Sequence, residues 1–151
     1  MPECVVTIGG RERERVEIRV QRRMYPTSTD SDDGNWLSAR VSVSAGVWAG
    51  SFDAHLRAEE FEAFRQQCER LYEALRGTAV FHPLEPWLLL TLTGDAKGHI
   101  ELTGEAIDHV GWGNQLSFKY LELDQSFLPP LIAQLREVEK NFPVVGLRSG
   151  S

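Results

Sequence analysis

In two stretches, from Cys4 to Val20 and again from Leu37 to Ala54, the apolar side chains recur at about every second residue, which confines much of the first third of the chain to strands with one buried face. Cys4, Val6 and Ile8 share a face, Gly9-Gly10 offers a turn, and Val16, Ile18 and Val20 return on the same side. Arg11, Arg13, Arg15, Glu17 and Arg19 point the other way, a largely basic stripe that reads either as a docking surface or as an edge strand guarded by charge. Pro26 to Asn35, rich in Ser, Thr, Asp and Gly, is a loop by composition. Alternation resumes through Leu37, Ala39, Val41 and Val43, turns at Ala45-Gly46, and continues through Trp48, Gly50, Phe52 and Ala54, so Trp48 is expected in the core or at its edge.

The period then changes from two to 3.6. Phe61, Phe64, Cys68, Leu71 and Leu75 line one helical face, with Glu59-Glu60 at the positive end of the helix dipole and Gly77 placed for the left-handed closing residue. Cys68 lies on the apolar stripe and is expected to be a small core residue, not a nucleophile. Ala79 to His82 and Trp87 to Thr93 read as strands split by Pro83 and Pro86, with Trp87 in or near the core. The turn Asp95 to Gly98 leads to Ile100, Leu102, Gly104 and Ala106 on one face and His99, Glu101, Thr103 and Glu105 on the other. Gly111 to Asn114 is a further turn, before Leu116, Phe118 and Tyr120. A last helix carries Leu128, Leu131, Ile132, Leu135, Val138 and Phe142, with Asp124 or Ser126 as cap, Pro129-Pro130 in its first turn and Pro143 at its end.

The expected fold is α+β: a mainly antiparallel β-sheet of about seven or eight strands with two amphipathic helices on one face. Residues 1–151 are expected to form a single domain, with a flexible loop near 26–35 and a C-terminal tail over 145–151 in which Ser149-Gly150-Ser151 carries no fold information. Each half ends in a hairpin and an amphipathic helix, which hints at a duplicated unit, although the residues of the halves do not match well.

Hydrophobic and charged fractions of 42% and 25% in 151 residues suit one globular domain and exclude a disordered or coiled-coil chain. No apolar run approaches the ~20 residues of a membrane helix, and none stands where a secretion signal would. Two cysteines are too few for a disulfide scaffold, so the expectation is a soluble cytoplasmic protein away from membranes. The net charge of -6 is uneven: residues 1–23 hold six arginines against four glutamates, and the other 128 hold ten cations against eighteen carboxylates, or -8. Such an acidic body repels phosphate backbones, which argues against direct nucleic-acid binding. It suits a basic protein partner, or simply keeps the chain in solution.

Phosphate-cradling loops, paired-histidine zinc motifs and nucleophile elbows are all missing from the sequence, and no cofactor or metal is expected. Asp30, Asp32, Asp33 and Gly34 faintly resemble a calcium loop, but the glycine arrives one position early and the twelfth-position glutamate is lacking. A polar surface loop is the plainer reading. His99 and Glu101 share an outward face and could form an acid/base pair in a small enzyme or ligand-binding domain, with His82 and His109 as further candidates. Exposed histidines without a task are the alternative. Trp112, between two glycines, is either an exposed anchor for a partner or a turn folded onto the sheet.

Taken together, Gly34-Asn35-Trp36-Leu37, Gly50-Ser51-Phe52, Glu59-Glu60-Phe61-Glu62-Ala63-Phe64 and Leu75-Arg76-Gly77 resemble the WapI-type immunity proteins and their uncharacterised relatives. Gly98 to Gly104, Asn114 to Phe118, Asp124 to Leu128 and Phe142-Pro143-Val144 extend the resemblance over most of the chain from about Gly34 onward. These are turns and core positions, so they speak for fold more than activity, and the family has no catalytic residue to carry over. The resemblance implies a non-catalytic, cytoplasmic protein that neutralises the toxic C-terminal domain of a bacterial contact-dependent toxin, of tRNA-cleaving type. For such a partner the expected contact residues are Asp30, Asp32, Asp33 and Trp36 in and beside one loop, and Trp112 in another.

Overall fold

A computed structural model describes residues 3–11 and 13–146, with the backbone alone at Arg11; Ser149-Gly150-Ser151 lies outside the described residues. Among the described residues, eight antiparallel strands and two α-helices follow the α+β order read from the sequence. They are β1 (Cys4–Arg11), β2 (Glu14–Arg23), β3 (Trp36–Ala45), β4 (Trp48–Arg57), α1 (Ala58–Ala74), β5 (Arg76–Phe81), β6 (Leu88–Asp95), β7 (His99–Ile107), β8 (Gln115–Asp124) and α2 (Leu128–Asn141).

The strands divide into two meanders of four, β1-β2-β3-β4 and β5-β6-β7-β8. The division follows from α1: a helix of 17 residues carries the chain about 25 Å away from β4 before β5 can begin. Each half is thus four strands followed by a helix, so the duplication hinted at by the sequence is present as architecture. The halves interlock, because α1 packs on β5 of the second sheet and α2 packs on β1 of the first. One glutamine from each helix seals the strand edge beneath it. The Gln67 amide donates to the Val80 carbonyl at 3.2 Å and accepts from the Val80 N–H at 2.9 Å; Gln134 accepts from the Thr7 N–H at 2.8 Å. A bidentate Arg65–Glu139 pair at 2.7 and 3.0 Å, extended through Glu69 to Arg136, ties the helices together.

The alternating residues read from the sequence fill one continuous core. Val6, Ile8, Val16, Val20, Leu37, Val41, Leu90, Leu102, Phe61, Phe64, Leu71, Leu131, Leu135 and Val138 are all buried. Tyr120 is buried too, its hydroxyl donating to the Ser44 carbonyl across the two sheets at 2.5 Å, and burial raises its pKa. Burial likewise pushes the Cys68 thiol up to about 12, so it stays protonated and inert at neutral pH.

Three local expectations are corrected. The first hairpin does not turn at Gly9-Gly10: β1 runs on to Arg11, and Gly9, at φ 93, lies in the irregular stretch where the register shifts between Ile8 and Arg11. The left-handed residue closing α1 is Leu75 (φ 59), not Gly77, and Leu75 is only partly buried. Here the chain must turn at once into β5, and the Leu75 carbonyl is used to accept from the Ala96 N–H at 2.9 Å. Gly94 makes that approach feasible, since a Cβ there would stand 2.4 Å from the Leu75 carbonyl oxygen. Trp48, finally, is 67% exposed: β4 is the outermost strand of its sheet, and its first half projects beyond the core.

Candidate protein-binding surface

The two loops expected to meet a partner lie at opposite ends of the first sheet. Trp36 stands opposite Arg57 at one end of the β3–β4 ladder, while Ala45 stands opposite Trp48 at the other, about 30 Å away. At the first end, the Asp30 carboxylate is consumed by its own loop, accepting from the Asp32 and Asp33 N–H groups at 2.9 and 2.7 Å and from the Ser28 hydroxyl at 2.8 Å. Those bonds hold its pKa below the usual carboxylate range. Arg57 donates to the carbonyls of Ser31 (2.6 Å) and Asp32 (3.0 Å), and its guanidinium carbon lies 4.9 Å from the centroid of the Trp36 ring. Buried Asn35 bonds Ser31 and both backbone groups of Val145. Asp32 and Asp33 are left exposed on this fastened loop, and Trp36 is half-buried beneath Arg57.

The second end is different in character. Trp112 is 77% exposed and stacks on His109, centroids 4.1 Å apart and planes 14° from parallel, which holds the indole in place without burying it. Its loop is braced by Asp108, which accepts from the Asn114 N–H at 2.8 Å. Across an open groove of about 270 Å³ stand Trp48, Gly50 and Phe52 of β4, with Val43 at the floor and Leu116 and Asp108 on the far wall. Val47 and Trp48 at the hairpin tip are both largely exposed. Phe52 of the groove stacks on Trp87, ring centroids 6.2 Å apart; the Trp87 indole N–H is buried without an acceptor among the described residues. This end of the molecule therefore presents two exposed tryptophans, a residue type enriched among those that dominate binding energy at interfaces, beside exposed Val47 and an uncharged strand edge. Trp48 was missed because alternation alone placed it inward; the signal available was the uncharged run Val47 to Phe52 at the end of a meander.

The acid/base alternative finds less support. His99 is exposed, and its Nδ1 lies 3.1 Å from an Asp95 carboxylate oxygen, a contact set by the turn. Glu101 stands on the same outward face of β7. No three His, Cys, Asp or Glu side chains among the described residues are grouped to hold a metal ion. The basic stripe of β2 is interleaved with carboxylates: Glu17 pairs with Arg15 and Arg19 at 3.1 and 2.9 Å, and Glu3 with Arg19 at 3.2 Å. Its charge is largely neutralised in place. Among the described residues, no helix is long and apolar enough to cross a membrane.

A model of the immunity protein WapI-like family matches residues 7–143, from the first strand to the end of the last helix. No curated protein matches the chain. The match spans both four-strand units and both helices, and the chain belongs to the immunity protein WapI-like family.

Proposed function

We propose that this protein is a stoichiometric, non-catalytic inhibitor that binds the toxic domain of a bacterial contact-dependent toxin in the cytoplasm and holds it inactive. The family match over residues 7–143 carries this reading. The charge distribution supports a basic partner of nuclease type: a domain that acts on RNA presents cations, and residues 24–151 of this chain sum to -8. Exposed Trp112 is the anchor that desolvates on binding, while Asp32 and Asp33 steer the encounter from the far end of the sheet; Asp30 shapes their loop and Trp36 supports it.

The test is to purify the chain with the toxin domain encoded beside it and to measure association and dissociation rates against ionic strength. A one-to-one complex is expected, with association slowing as salt rises. Absence of a complex at micromolar concentration refutes the reading; a complex indifferent to salt refutes the steering.

A further inference from the structure

Each four-strand sheet has two edges, and three of the four are guarded. Gln134 seals β1 and Gln67 seals β5. The edge of β8 carries Lys119, Glu122 and Asp124. The remaining edge, the first half of β4, has neither device: Trp48, Ala49, Gly50 and Ser51 are all exposed, none is charged, and β4 pairs with β3 alone. An uncharged and uncovered edge, even of four residues, invites another strand, and natural sheets rarely leave one bare without a use.

The register fixes which backbone groups are on offer. Ala45 and Trp48 close a two-residue turn as a hydrogen-bonded pair, so Trp48, Gly50 and Phe52 exchange bonds with β3, and Ala49 and Ser51 turn their N–H and C=O groups outward. A partner that dried this surface with a helix or a flat face would strand those groups without bonds; an extended strand matches them one for one. The groove beside the edge is lined mainly by apolar residues, with Ser51, Asn114 and Gln115 adding polar groups and Asp108 as its only charged lining residue; Asp53 further along β4 is paired with Arg40 at 3.1 Å.

We infer that the toxin domain docks by adding one of its own strands to the free edge of β4, with an apolar side chain in the groove and a cation facing Asp108. The inference rests on the immunity reading and names its contact surface. A second copy of this chain is the poorer occupant, because the strand it would offer, Trp48 to Phe52, carries no cation to set against Asp108.

The decisive variant is Ala49→Pro, which deletes an outward N–H and leaves the β3 ladder intact, a place where edge strands tolerate proline. Its Kd for the toxin domain is expected to rise about 100-fold or more with the melting temperature little changed. In the unaltered protein, the Ala49 and Ser51 amides are expected to gain hydrogen-exchange protection on complex formation, which decides the matter even if the variant does not fold. Unchanged affinity in a folded Ala49→Pro, or unchanged protection at both amides within a formed complex, overturns the edge-pairing inference and leaves the immunity reading standing. So does a homodimer of the free chain that Ala49→Pro dissociates. Failure of the unaltered chain to bind the toxin domain at all refutes the immunity reading, and the inference with it.

Discussion

Replacing Gln67 by Met tests whether the glutamines hold the two interlocked halves together. Methionine keeps the length and apolar stem of the side chain but deletes both bonds to Val80, one as donor and one as acceptor. A hydrogen bond of this kind contributes a net ~0.5–1.5 kcal/mol, and a group left dry and unpaired costs more. Val80 is half-buried under α1, so its N–H and C=O recover only part of their bonding from water. The expected loss is about 2 kcal/mol, or roughly 4–8 °C in melting temperature for a chain of this size. Gln134→Met deletes a single bond to Thr7 and is expected to cost about half as much. The two sites lie on different sheets, so the double variant should show the sum. Urea unfolding of the three variants, with exchange rates of the Val80 and Thr7 amides, supplies the measurement. A Gln67→Met variant as stable as its parent, with Val80 still protected, refutes the idea that these side chains seal the edges.

Leu71→Ala, at the buried centre of α1, is expected to destabilise by about 2–5 kcal/mol through lost transfer energy and a residual cavity, read by the same unfolding assay. Stability should fall on acidification below about pH 4: partners hold Asp30, Glu69, Asp95 and Asp124 below their ordinary values, so their contribution is complete above those values and is lost as pH falls through the lowered ones. Glu60, raised chiefly by burial, acts in the opposite sense alone, so a melting temperature that holds or rises from pH 5 to pH 2.5 contradicts this balance. His99→Ala should leave toxin inhibition within about twofold of the parent, whereas a loss above roughly a hundredfold with the fold intact would favour the acid/base reading. Trp112→Ala should raise the dissociation rate at least tenfold while association changes little, measured by surface-based kinetics.

Period two and period 3.6 were enough to place most of the buried residues of this fold, because a side chain's face follows directly from its position in a strand or helix. Alternation cannot report which strand ends a sheet, and that is why it places Trp48 inward although no further strand among the described residues pairs beside β4. The split into two meanders was equally hidden: local pattern sees hairpins, and the choice between one wide sheet and two sheets depends on where α1 sends the chain. Gln67 and Gln134 carried no sequence signal at all, since a glutamine on a half-exposed helix face looks like any solvated residue. Trp112 was legible as a candidate anchor from its flanking glycines, but its stacking on His109 was not. The Asp30–Asp33 run was legible as a polar loop; that Asp30 is spent on Asp32 and Asp33 backbone groups appears only in three dimensions.

Titrating the purified toxin domain with this protein and following the toxin's activity tests the claim of stoichiometric neutralisation most directly. Inhibition should rise linearly and become complete at one protein per toxin, and activity should return when the complex is dissociated and the partners separated. Inactivation by far less than one equivalent, persisting after separation, would show a catalytic protein instead, and undiminished activity at several-fold excess would show that this toxin is not its target.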